Sequence, residues 1–129
     1  MDFVLRTRPG SFDPNADVFV DEENGRLVVV VEVAGADSDA LRIHLDERNL
    51  VITGRRIDAV RLRRGSFAQK EIAFGPFYKR IALPAAVEYD GAAATYADGL
   101  LVVALPLAAA AYRSTAHTEL HIVVKRIHS

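Results

Sequence analysis

The sequence predicts an all-β fold built as an antiparallel β-sandwich, and three observations predict it. Apolar residues recur at every second position through most of the chain, the period of strands with one face buried. Helical spacing is nearly absent. Gly, Pro, Asn and Asp interrupt the apolar runs about every eight to twelve residues, as in all-β sandwiches. A length of 129 residues fits one domain. A composition of 50% hydrophobic and 26% charged residues supplies a core without metal or disulfide staples.

The first alternation is Val18 and Val20 against Asp17, Phe19 and Asp21. Asn24-Gly25 follows as a hairpin turn, because both residue types tolerate positive φ. Residues 27–33, Leu-Val-Val-Val-Val-Glu-Val, are apolar on both faces, which places that strand between two covering layers. Asp37 to Ala40 form a brief turn or half-helix. Leu41, Ile43 and Leu45 then alternate with Arg42, His44 and Asp46, and residues 50–53 form a strand closed by Gly54. Further strands are expected at 67–74, 77–83, 92–97 and 100–105, punctuated by Gly75-Pro76, Pro84, Gly91, Asp98-Gly99 and Pro106.

Three segments fall outside this pattern. Residues 1–15 form a short arm, 16–106 the sandwich domain and 107–129 a tail. Within the domain, 55–64 is a cation-rich excursion carrying Arg55, Arg56, Arg61, Arg63 and Arg64. The stretch 13–46 is acidic, with Asp17, Asp21, Glu22, Glu23, Glu32, Asp37 and Asp39. Isolated surface charges contribute little, about 0–1 kcal/mol a pair. The asymmetry therefore reads either as two solvated patches or as a basic excursion that reaches an acidic edge strand.

Several functions are excluded by what the sequence lacks. Sixteen Lys and Arg against 17 Asp and Glu give a net charge of −1, without the cation surplus a nucleic-acid binder needs. No cysteine is present, so disulfides, thiolate ligands and thiol nucleophiles are absent. No glycine precedes a lysine, which removes the phosphate-cradling loop of ATPases. Gly10-Ser11 and Gly65-Ser66 lack the flanking glycine of a nucleophile elbow. His117 and His121 have metalloprotease spacing, but Glu119 sits at the wrong position and an extended chain would not converge them on one ion. Asp21 to Gly25 lacks the ligand alternation of a calcium loop. The sequence thus predicts no enzyme, no metal and no cofactor. The apolar residues Phe3, Val4 and Leu5 are too few for a signal peptide, and the run 100–112 is broken by Pro106 and too short to span a bilayer. A cytoplasmic protein with no membrane partner is expected.

Three blocks resemble the small heat-shock protein (α-crystallin) family. Ala94-Thr95-Tyr96-Ala97-Asp98-Gly99-Leu100-Leu101 resembles the signature A-x-x-x-N-G-V-L and runs on to Pro106. Phe74-Gly75-Pro76-Phe77-Tyr78-Lys79-Arg80-Ile81-Ala82-Leu83-Pro84 is similar to Y-G-x-F-x-R-x-F-x-L-P. Val33-Ala34-Gly35, Leu41-Arg42-Ile43 and Leu50-Val51-Ile52-Thr53-Gly54-Arg55-Arg56 resemble L-P-G, I-x-V and L-x-I-x-G-x-R in order. The match covers about residues 16–106. Departures include Ile72 after Glu71 where the family often has Arg, Asp98 for Asn, Lys79 for Arg, and Leu107 for Lys.

The resemblance implies an immunoglobulin-like antiparallel β-sandwich with a strand-exchange loop, and it assigns site residues. Ile122-Val123-Val124 resembles the I-x-I/V anchor, which implies that Ile122 and Val124 dock in a neighbouring subunit's groove walled by Leu41, Ile43, Leu45, Ala92 and Ala94; the alternative is that they complete the chain's own core or belong to a tail without a role. Val60, Arg61, Leu62 and Arg63 correspond to the strand lent to a partner, and Asp17, Phe19 and Asp21 to the edge strand that receives it. Charge complementarity between the two then favours exchange. The implied function is an ATP-independent holding chaperone that forms a strand-exchanged homodimer and higher homo-oligomers. Its other partners are partly unfolded client proteins, met through Phe3, Val4, Leu5 and Phe12. The alternative is a CS-type sandwich co-chaperone adaptor that binds a folded partner.

Overall fold

A computed structural model describes residues 12–60, 63–108, 118–120 and 122–124. Among them, nine strands form two sheets around one short 3-10 turn. The strands are β1 (Asn15–Asp21), β2 (Arg26–Glu32), β3 (Arg42–Asp46), β4 (Asn49–Arg56), β5 (Gly75–Ala82), β6 (Ala93–Ala97), β7 (Leu100–Pro106), β8 (Thr118–Glu119) and β9 (Ile122–Val124). The 3-10 turn spans Ser38–Ala40. The five-stranded sheet runs β1-β2-β7-β6-β9, and the four-stranded sheet runs β5-β4-β3-β8.

Period-2 patterning places the core between the sheets. Leu27, Val29 and Val31 of β2 and Leu101, Val103 and Leu105 of β7 are fully buried, in one cluster with Ile43, Leu50 and Ile52 of the other sheet. Phe77 and Ile81 of β5 complete it. Each such side chain stabilises the fold by roughly 1.5–3 kcal/mol relative to exposure.

Gly54 shows how tightly the second sheet closes. It lies opposite Phe77 in the β4–β5 ladder. A Cβ there would stand 2.5 Å from Phe77 Cζ and 2.9 Å from Leu41 Cδ2. The ring occupies the space that the glycine leaves.

Four sequence expectations differ from the structure. Residues 67–74 form no strand: Phe67 and Ile72 are 52% and 57% exposed, so their alternation buries neither face. Local contacts hold this stretch instead. Lys70 Nζ donates to the Ile72 carbonyl at 2.7 Å and lies over the Phe74 ring at 4.6 Å. The valine run of β2 is not covered on both faces, since Val28 and Val30 are half-buried. They are shielded in the plane of the sheet by Ala104 and Val102, their partners on β7. The Asn24-Gly25 pair is not a two-residue turn. The loop spans residues 22–25, and only Gly25 has positive φ. Asn24 is held otherwise, its backbone N–H and side-chain amide both donating to the Asp21 carboxylate, at 3.1 and 2.8 Å. The two-residue turn with paired positive φ occurs at Asp98 (+55°) and Gly99 (+78°), between β6 and β7. Finally, the basic excursion starts at 57, because Arg55 and Arg56 belong to β4.

Gly54→Ala should lower the urea midpoint by the equivalent of about 1–3 kcal/mol, the usual range for overpacking, because the buried Phe77 ring has nowhere to move. An unchanged midpoint would show that β4 and β5 can separate at this pair.

Candidate functional site: the inter-sheet groove and the acidic edge

One side of the sandwich is bounded by β3 of one sheet and β6 of the other. Leu41, Ile43 and Leu45 line it from β3 and its entry, all buried, while Ala94 of β6 is 1% exposed and Ala92 half-buried. The small side chains of β6 leave room beside the larger ones of β3. Two constraints fix the distance between the walls. The Tyr96 hydroxyl donates to the Val33 carbonyl at 2.8 Å and accepts the Ala36 N–H at 3.2 Å. The Val33 N–H donates to the Gly99 carbonyl at 2.8 Å, and a Cβ on Gly99 would lie 3.1 Å from Ala34 Cβ. The segment 33–36, which leads toward β3, is thus held by β6 and by the turn that follows it.

The other flank of this segment is tied to β4. Asp37 N–H donates to the Arg55 carbonyl at 2.9 Å, and Arg55 Nη2 donates to Asp37 Oδ2 at 3.0 Å. The Arg55 guanidinium, with a further hydrogen bond from Asp39 N–H, lowers the Asp37 carboxyl below the ordinary carboxylate range. Asp21 is lowered likewise, first by the Asn24 side chain.

The tail enters this groove. Thr118 and Glu119 pair antiparallel with Leu45 and His44, and the Leu120 N–H donates to the Ile43 carbonyl at 3.0 Å. Leu120 is 5% exposed and part of the core cluster. Two residues later the chain pairs parallel to β6, with Ile122 opposite Ala94, Val123 opposite Thr95 and Val124 opposite Tyr96. These pairings are with the chain's own β3 and β6, the strands that carry Ile43 and Leu45 (β3) and Ala94 (β6) of the expected groove. The other expected residues are scattered. Phe19 of β1 is 62% exposed, and Val18 and Val20, opposite the buried Val29 and Leu27, are about 40% exposed where the larger sheet overhangs the smaller. The outer edge of β1 carries no strand among the described residues. Asp17 is exposed on that strand, whereas the Asp21 carboxylate is engaged with Asn24.

Val60 is exposed, and its carbonyl accepts the Arg63 N–H at 2.9 Å. Arg61 and Leu62 lie outside the described residues, as do Phe3, Val4 and Leu5. Phe12 is half-buried, edge-on to Phe77 at 5.6 Å and stacked by the Arg56 guanidinium at 4.0 Å. A cleft of about 740 Å³ opens beside Arg56, lined by Ile57, Lys70, Ile72, Phe74 and Pro76 among others. Sequence reasoning missed Tyr96, Leu120 and the Arg56–Phe12 stack. Leu120 had a signal, since Leu120, Ile122 and Val124 keep one parity.

These features have counterparts in known proteins. The profile of the Hsp20/alpha crystallin family matches residues 19–123, from the acidic edge strand into the tail. The chain belongs to that family. Heat shock protein 16 of Schizosaccharomyces pombe is 31% identical over 100 residues, covering 76% of this chain and 68% of the relative. The solved structure of heat shock protein 16.0 from Schizosaccharomyces pombe superposes with a TM-score of 0.71 at 27% identity, over 84% of this chain and 76% of that one. A small heat-shock protein from Xylella fastidiosa, described as having a distinct high order structure, gives 0.65 at 27% identity over 79% and 92%. Membership in the Hsp20/alpha crystallin family makes this chain a small heat-shock protein in general function, a chaperone, and family members form homo-oligomers. The CS-type adaptor reading is not favoured. Among the described residues, no helix is long and apolar enough to cross a membrane.

The Asp37–Arg55 pair gives a signed pH prediction. A lowered carboxyl stabilises the fold above the ordinary carboxylate pKa, and that stabilisation is lost as the pH falls through the lowered value. Asp37→Asn should therefore melt slightly below the parent chain at pH 7, and the gap should shrink below the ordinary carboxylate pKa and close as the pH falls through the lowered one. A gap that persists in strong acid would mean that the aspartate acts through shape and not charge.

Proposed function

We propose that this chain is an ATP-independent holding chaperone whose apolar groove is covered reversibly by aliphatic tail segments. The observation that carries this reading is the tail itself, which enters the sandwich between β3 and β6 through main-chain pairing with both. Main-chain hydrogen bonds do not depend on side-chain identity, so a groove that takes one extended aliphatic segment can take others. This is the recognition a holding chaperone needs, since its clients share exposed apolar segments and no common sequence.

The energetics favour reversibility. Each buried aliphatic side chain contributes roughly 1.5–3 kcal/mol, from which the ordering of the tail must be subtracted. One tail is weakly held, and several together hold an oligomer by avidity. Ile122 and Val124 act as the anchor in this scheme, in the chain's own groove or in that of a second copy. The same pairing is available to either, as in domain swapping. Dimerisation uses the acidic edge of β1: Val18, Phe19 and Val20 leave apolar surface beside an unpaired edge. Residues 60–63 of a partner supply the complementary basic strand. Phe12 contacts clients only after leaving Phe77 and Arg56, so the arm and the fold compete for it. No step in this scheme is catalytic, and the reading needs neither cofactor nor metal. A cytoplasmic location is part of the same reading.

The deciding assay is light scattering of a heat-labile substrate, without nucleotide. Suppression of aggregation is expected at equimolar subunits, and its absence would sink the holding role. A second measurement addresses the anchor. Ile122→Ala combined with Val124→Ala should move the solution mass toward dimer, and an unchanged mass would remove these residues from assembly.

A further inference from the structure

We infer that Leu120 is the residue that seats the tail, so that the groove recognises a Leu-x-Ile-x-Val segment and not the Ile-x-Val pair alone. This rests on the reading of the tail as an anchor and extends it by one position toward the core. Leu120 is 5% exposed and packs in the same cluster as Leu41, Ile43 and Ala94. Its N–H donates to the Ile43 carbonyl at 3.0 Å, immediately after Glu119 has paired with His44. The tail leaves the edge of one sheet at this point and joins the edge of the other at Ile122. Leu120 therefore stands at the crossing, where a side chain can enter between the sheets.

Register follows from this position. A one-residue slip in an extended segment turns every side chain to the opposite face. The tail pairs with Ile122 opposite Ala94 and Val124 opposite Tyr96, and seating Leu120 two residues earlier holds that register. A segment with a polar residue at the first position would place that group in an apolar cluster that contains no buried polar residue among those described. The partner chemistry is thus an extended peptide with aliphatic residues at three alternate positions, the first of them leucine. Segment 118–124 of this chain, seated in its own groove, meets this requirement.

The absence of cysteine from the sequence makes the test direct. Thr95 and Val123 face each other across the β6–β9 pairing, beyond Leu120. In the full-length chain carrying Thr95→Cys and Val123→Cys, the rate of disulfide formation under mild oxidation reports how fully the tail is seated. Leu120→Ala in this background should slow the reaction at least tenfold, while Leu120→Met, similar in volume, should stay within about twofold of the parent. Far-ultraviolet circular dichroism checks that each variant is folded, and Leu120→Val replaces Leu120→Ala should the latter unfold. An unchanged rate with Leu120→Ala, alongside slowing by Ile122→Ala or Val124→Ala, would overturn the inference and leave the Ile-x-Val anchor intact. Equal rates in all three variants would overturn the anchor reading as well.

Discussion

A sandwich of two open sheets cannot satisfy its edges from within, and this fold is organised around that constraint. Every edge strand presents unpaired N–H and C=O groups, and every gap between sheet edges exposes the core from the side. Here the gap between β3 and β6 is filled by the tail, which pairs with both edges in turn and places Leu120 among the core side chains. The opposite end of the larger sheet has no such cover among the described residues. There β1 overhangs, acidic and apolar together. One edge is closed by the chain's own terminus, and the other offers an unpaired ladder beside Phe19.

That arrangement makes self-association a matter of where the same contacts are made. The hydrogen bonds from β8 to β3 and from β9 to β6 are defined by register, and a second copy's tail has the same register to offer. The choice then depends on effective concentration, high for a tethered tail and set by protein concentration for a foreign one. In the proposed chaperone scheme, a client segment competes on the same terms. The rigid hub at Val33 to Asp37 matters because exchange requires a groove that keeps its width when empty. Tyr96 and Gly99 hold that hub from the β6–β7 side and Arg55 from β4, none of them through the tail.

The elements legible in the sequence were those that bury one face. The alternation of β3 and β7, the buried run of β4 and the turn at Asp98-Gly99 all follow from period and turn chemistry. Residues 67–74 mislead because alternation reports a capacity for two faces and says nothing about whether a layer is there to cover either. The valine run of β2 misleads in the converse way, since in-plane neighbours shield Val28 and Val30 without a third layer. In the groove, the walls and the Ile-x-Val pair were legible only through the resemblance, and no role for Tyr96 was legible at all. A half-buried tyrosine in a strand gives no sign that its hydroxyl will satisfy two main-chain groups more than fifty positions earlier in the chain.

Phe12 and Arg56 show how such a fold can tie client contact to its own integrity. The Phe12 ring lies edge-on to Phe77, the same ring that fills the space left by Gly54. The Arg56 guanidinium covers Phe12 and approaches Phe74 at 5.3 Å, and its Nε is buried without a hydrogen-bond acceptor among the described residues. A cation held over aromatic faces tolerates this better than a neutral donor would, because the ring quadrupole compensates part of the lost hydration. Removing Phe12 from this site leaves the Phe77 ring and the adjoining cleft open to other apolar groups. In the proposed chaperone scheme, a client aromatic that settled there would recover the same stack, which makes release of the arm and capture of a client opposite sides of one exchange.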